Sequence, residues 1–85
     1  MNPQTETRVG DCYVTQIDHE LFTVSVPAQG HYGGKRIECR VETDGLEWWC
    51  SLPPAWLHTD GEAAYVRRVG IDAVKSYLVS KRRGL

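Results

Sequence analysis

The chain has 85 residues, of which 41% are hydrophobic and 25% charged, with a formal net charge of -1. That length suits one domain, and the composition is that of a folded domain rather than a disordered segment. No apolar run approaches the ~20 residues that span a bilayer, and Met1 to Asp11 is polar throughout its middle, so a cytoplasmic protein without membrane contact is expected.

Charge is unevenly spread. Residues 1–60 carry nine acids against four bases, a net -5, whereas residues 61–85 carry two acids against six bases, a net +4. Such a division marks either a basic binding face or a basic helix lying near an acidic sheet. Cys12, Cys39 and Cys50 make an odd set with no CxxC pair. Reduced thiols behaving as small buried apolar groups are the expectation.

In chain order, Met1 to Thr7 reads as a loose terminus. Val9 to Ile17 reads as a strand whose inner face is ambiguous, and Asp18-His19-Glu20 turns the chain. Phe22, Val24 and Val26 alternate with Thr23 and Ser25, which predicts a half-buried strand ended by Pro27. A glycine-rich loop follows over residues 27–35. Ile37, Cys39 and Val41 then alternate with Glu38, Arg40 and Glu42 up to Asp44-Gly45, a pair that favours a two-residue type I′ hairpin turn. The returning strand carries Leu46, Trp48, Cys50 and Leu52 on one face and Glu47, Trp49 and Ser51 on the other.

With a two-residue turn, Thr43 faces Leu46, Val41 faces Trp48, Cys39 faces Cys50 and Ile37 faces Leu52. On the other face Arg40 meets Trp49, and Glu42 meets Glu47 as an unfavourable like-charge pair. Cys39 and Cys50 would then stand about 5.5 Å apart at Cα, within disulfide range, although free thiols are expected from the compartment.

Pro53-Pro54 ends this strand, and Ala55-Trp56-Leu57 makes a short turn that drops Trp56 onto the core. Thr59-Asp60-Gly61-Glu62 matches a capping box. Wound as a helix, Ala63, Val66, Val69, Gly70, Ala73, Val74, Tyr77 and Leu78 form an apolar stripe, with Arg68, Lys75 and Arg82 opposite. Gly70 lies inside the stripe, so close approach to the sheet is its expected use. The helix should run from about Asp60 to Lys81, with residues 82–85 loose. The whole is a single α+β domain over residues 1–85: an antiparallel meander of three to four strands, including the Asp44-Gly45 hairpin, packed by one long C-terminal helix.

The middle of the chain resembles the DUF1488 family of short bacterial α+β proteins. The likeness lies in Phe22-Thr-Val-Ser-Val-Pro-Ala, a glycine-containing turn, Arg36-Ile-Glu-Cys-Arg-Val, an acidic residue before Leu46 and a closing helix, over roughly residues 22–78. The extra amino-terminal segment, Trp48-Trp49 and Pro53-Pro54 depart from it. The resemblance implies the fold and no activity.

No sequence pattern for nucleotide, hydrolase or metalloprotease chemistry is present, so neither an enzyme nor a cofactor is expected. Cys12, Cys39, Cys50 and His58 are conceivable zinc ligands but lack the close pairs of structural zinc sites. The loop Gly30 to Arg36 offers His31, Tyr32 and backbone N–H groups to a partner or anion, or is simply a solvated loop. Arg68, Lys75, Lys81, Arg82 and Arg83 outline a nucleic-acid footprint, although cations at a helix C-terminus also complement its dipole. Trp49 points away from the predicted core beside Arg40, the composition of an interface anchor. Protein binding through Trp49, Arg40, Tyr32 and His31, with homodimer formation possible at an open sheet, is the favoured reading. Nucleic-acid binding by the basic helix is the alternative.

Overall fold

The computed structural model describes residues 6–27, 35–53 and 60–83. They contain strands β1 (Glu6–Val9), β2 (Cys12–Gln16), β3 (Leu21–Pro27), β4 (Arg36–Thr43) and β5 (Trp48–Ser51), then helix α1 (Asp60–Arg83). The strands form one antiparallel sheet in the order β1-β2-β3-β4-β5. This is the expected α+β meander with a C-terminal helix, with five strands instead of three or four. No helix among the described residues is long and apolar enough to cross a membrane.

The additional strand comes from the amino terminus. Residues 9–17 are not one strand, because Gly10-Asp11 folds the chain back so that Val9 pairs with Cys12 and Thr7 with Val14. Gly10 has a φ of 60° and Asp11 stays at negative φ, the signature of a type II′ turn with glycine first. Glu6 and Thr7, expected to be loose, are thus held in a ladder. β2 resolves its ambiguous faces by turning Cys12 and Val14 inward and Tyr13 outward.

The β4–β5 hairpin departs from the expected register by two residues. Thr43 pairs with Trp48, Glu42 with Trp49, Val41 with Cys50 and Arg40 with Ser51. Residues 44–47 therefore form a four-residue connection. Asp44 Oδ1 accepts hydrogen bonds from the Leu46 and Glu47 backbone N–H groups, both at 2.8 Å. Thr43 Oγ1 donates to the Glu47 carbonyl at 2.8 Å and accepts from Gly45 N–H at 3.0 Å. Only Gly45 takes a positive φ, 97°, whereas a type I′ turn would demand one at Asp44 as well. The observed register also removes the Glu42–Glu47 opposition. A two-residue slide keeps every side chain on its face, so Trp48 and Cys50 still face the core while Leu46, 90% exposed, lies in the connection.

α1 covers one face of the sheet. The core comprises Cys12, Val14, Phe22, Val24, Val26, Ile37, Cys39 and Val41 beneath Val66, Ala73 and Val74. Tyr77 meets Phe22 edge-on at 6.2 Å and donates from Oη to Gln16 Oε1 at 3.2 Å. Lys81 Nζ donates to the same oxygen at 2.8 Å. That anchorage sits in the last turns of α1, which continues through Arg82 to Arg83 where a loose end was expected. A Cβ on Gly70 would lie 3.7 Å from Cys50 Sγ and 3.8 Å from Val26 and Val41. Gly70 thus sits on the sheet, yet at ordinary contact distance and not at a spacing that requires glycine.

Candidate functional site

The other face of the sheet has no element of the described residues across it. Strand alternation and the pairings assign it row by row. Leu21, Glu42 and Trp49 form one row, and Thr15, Thr23, Arg40 and Ser51 the next. Tyr13, Ser25 and Glu38 follow, then Pro27 with Arg36. On β4 the outward residues are all exposed and alternate in sign: Arg36, Glu38, Arg40, Glu42. Trp49 is 49% exposed on this face, as expected. Its direct partner is Glu42 and not Arg40, which the shifted register places diagonally and opposite Ser51.

Arg36 is the most constrained cation on the face. Its Nε donates to Ser25 Oγ at 2.6 Å, and Nη2 donates to the carbonyls of Ser25 at 3.0 Å and of Asp11. Its guanidinium lies 4.8 Å from the Tyr13 ring centroid, a cation–π geometry. Together these contacts hold a positive charge at one end of the β4 row. His31 and Tyr32, the other candidates for this surface, lie outside the described residues.

Three cations of the basic helix, Arg67, Lys75 and Lys81, reach back to the sheet or to the aromatic rings on the packed face. Lys75 Nζ sits 5.3 Å from the Trp48 ring, and Lys81 Nζ lies 5.9 Å from the Tyr77 ring besides its bond to Gln16. Arg67 Nε donates to the Cys50 carbonyl at 3.3 Å. Long cationic stems reach sideways along apolar surface in this way, so the row Arg68, Lys75, Arg82 is not a uniform solvent-facing stripe. Arg68 and Arg82 are exposed, and Arg83 is the last helical residue.

The three thiols are free. Cys39 is 1% exposed and Cys50 half-buried. The Cys39 S–H has the Ile37 carbonyl oxygen as an acceptor at 3.9 Å. Interaction with the Cys50 thiol, reinforced by burial, pushes Cys39 up. The hydrogen bond from Cys39, helped by Arg67 and opposed by burial, brings Cys50 down. Burial pushes the Cys12 thiol up against the pull of Arg36. Among the described residues no three His, Cys, Asp or Glu side chains gather to hold a metal; His58 lies outside them.

A groove of about 380 Å³ opens between the β1–β2 turn and α1, with Asp11 on one wall, Asp72 and Tyr65 on the other, and Cys12 in its lining.

No family model matches the chain, and no curated protein or solved structure matches it.

Among the contacts that residue pattern alone does not give are Arg36 on Tyr13, Lys75 on Trp48 and Lys81 on Tyr77. Strand alternation could have placed Tyr13 and Arg36 on one face. Only the β2–β3–β4 registers bring them together, and those depend on turns whose lengths composition does not set.

Proposed function

We propose that this chain acts by binding protein through the uncovered face of its sheet, and that the partner this face fits is a second copy of the chain. The observation that carries the reading is the order of charges on β4. Arg36, Glu38, Arg40 and Glu42 are exposed on one face in strict alternation. A two-fold axis lying across β4 at the level of Cys39 stacks two such strands antiparallel, as symmetric dimers require. Arg36 then meets Glu42 of the second copy, and Glu38 meets Arg40. The same axis sets Leu21 over Pro27 and Thr23 over Ser25 of the second copy, because those residues pair with Glu42, Arg36, Arg40 and Glu38. Trp49, beside Glu42, flanks the outermost charge pair and limits its contact with water, the position from which an aromatic anchor contributes most.

The face carries Glu6, Glu38 and Glu42 against Arg8, Arg36 and Arg40. It therefore has no excess positive charge to attract phosphates, which favours a protein partner over a nucleic acid there. The alternative of a nucleic-acid site on α1 is disfavoured by the intramolecular engagement of Arg67, Lys75 and Lys81.

The test is a sedimentation-equilibrium series on wild type, Arg40→Glu, and the double variant Glu38→Arg with Arg40→Glu. Wild type should dimerise, with Kd rising as salt is added. Arg40→Glu creates two like-charge contacts per dimer and should weaken Kd by about tenfold or more, roughly 1.4 kcal/mol. The double variant exchanges the signs of a pair that meets across the two-fold and should restore the dimer. Across the strands Glu38 and Arg40 face only Ser25, Thr23 and Ser51; their charged neighbours in the monomer lie along β4 itself, and sedimentation reads association and not monomer stability. A wild type that stays monomeric up to about 1 mM, or a double variant no better than Arg40→Glu, overturns the proposal.

A further inference from the structure

Cys39 and Cys50 lie on adjacent strands, on the same face, two residues out of direct opposition. Cys50 pairs with Val41, the residue two places along from Cys39. Diagonal neighbours of this kind stand about 7–8 Å apart at Cα, too far for an unstrained disulfide. The Thr43 N–H donates to the Glu20 carbonyl, so alternate residues of β4 from Thr43 back to Cys39 turn their backbone groups to β3. A directly opposed Cys39–Cys50 would therefore be a non-hydrogen-bonded pair at about 4.5 Å, within range. A slide of β5 by two residues converts one arrangement into the other.

The hairpin is suited to that slide. Two residues is the repeat of the pleat, so the slide exposes no core side chain and buries no outward one. It shortens the connection from four residues to two. It also brings Leu46, 90% exposed in the present register, into the ladder opposite Thr43. The present register is held by the bonds of Asp44 Oδ1 to Leu46 and Glu47, by those of Thr43 Oγ1 to Glu47 and Gly45, and by Arg67 and Lys75 of α1 on Cys50 and Trp48. The two registers satisfy the same facial pattern, and a covalent bond between the strands chooses between them against a few turn hydrogen bonds and the contacts of Arg67 and Lys75.

We propose that Cys39 and Cys50 form a peroxide-sensitive dithiol, and that its oxidation to a disulfide draws β5 two residues along β4 into this second register. Cys50 is the attacking group, being half-buried where Cys39 is enclosed, and its backbone is tethered by Arg67. Its lowered proton affinity, set by Cys39 and Arg67, agrees with that role. Cys50 loses its proton and attacks one oxygen of hydrogen peroxide. The O–O bond breaks, leaving a sulfenic acid, and the departing hydroxide takes the proton as water. Cys39 then attacks the sulfenic sulfur. The S–O bond breaks, the S–S bond forms, and the leaving hydroxide takes the Cys39 proton as a second water. Two thiols are oxidised and one peroxide is reduced. In the second register Trp49 moves from Glu42 to Arg40 and Trp48 from Thr43 to Val41.

The experiment treats wild-type protein with hydrogen peroxide and reads intact mass, disulfide-linked peptides and cross-strand proton contacts by NMR. Loss of two hydrogens, a peptide linking Cys39 to Cys50 and replacement of the Glu42–Trp49 contact by Arg40–Trp49 are expected. Before oxidation, Cys50 should react with iodoacetamide about tenfold or more faster than Cys39 or Cys12. Cys12→Ser should oxidise like wild type, and Cys50→Ser should leave Cys39 reduced. Three thiols persisting under peroxide, or a bridge that involves Cys12, overturns the dithiol. A Cys39–Cys50 bridge with the Glu42–Trp49 contact unchanged overturns the register shift. The mapping on wild type does not depend on any variant folding.

Discussion

Gly70 and Asp44 show how much a single position contributes. Gly70 lies in the buried stripe of α1, where glycine costs roughly 1 kcal/mol relative to alanine. An added methyl would meet Cys50, Val26 and Val41 at 3.7 to 3.8 Å, contact and not collision. Gly70→Ala is therefore expected to stabilise the domain by up to about 1 kcal/mol, measured as a higher urea midpoint with unchanged slope; a lower midpoint would show that the helix is already as close as it can be. At Asp44, hydrogen bonds from the Glu47 and Leu46 N–H groups hold the carboxyl below the usual carboxylate range. A depressed folded-state pKa means that this stabilisation is fully present above the unfolded value and is lost as pH falls through the folded one. Melting temperature measured downward from pH 5 should therefore fall more for wild type than for Asp44→Asn, which has no charge to lose. Parallel curves would remove Asp44 from the acid response.

Among the elements, alternation in β3 and β4 was plain in the sequence, because each strand buries one face and leaves the other wet. So was the apolar stripe of α1. The register between β4 and β5 was not, since residue pattern is blind to a slide of two and turn propensity alone pointed to Asp44-Gly45. The Asp44 and Thr43 side chains decide it by satisfying backbone groups that a shorter turn would not present. β1 was missed for a related reason: Glu6-Thr7-Arg8-Val9 shows no apolar alternation, and its strand character depends on pairing with β2 through the Gly10 turn. The positive charge of α1 was legible, but its direction was not. Lys75 and Lys81 have aromatic rings within reach on Trp48 and Tyr77, and only the packed helix reveals that. Fluorescence anisotropy with duplex and single-stranded DNA and with RNA should accordingly show no tight binding near physiological salt. Binding that falls steeply as salt rises, and that is lost with Arg68→Glu and Arg82→Glu, would reinstate α1 as a phosphate-binding element.

For the molecule as a whole, the consequence lies in which face is dry. One helix covers one side of five strands, and the outer side carries paired signs of charge where a two-layer domain would present scattered polar groups. The dimer proposed for that side and the dithiol on the other meet at the same stretch of β4: Glu38 and Arg40 look outward, and Cys39 between them looks inward. A β5 slide would leave β4 and its charge order in place while moving Trp49 along the rim. Oxidation is thus expected to alter the flank of the interface and leave its centre unchanged.

The position of α1 after all five strands also bears on how the chain comes into being. Each strand pairs with its neighbour in sequence from β1 to β5, so the sheet forms from contacts of modest sequence separation. The inner face of the sheet, by contrast, is sealed by residues 60–83, and Lys81 returns to a glutamine 65 positions earlier. A chain emerging from the ribosome therefore presents its strands first and their cover last. In that interval Val14, Phe22, Val24 and Val41 stand bare to water, and a nascent-chain chaperone has its clearest reason to hold them.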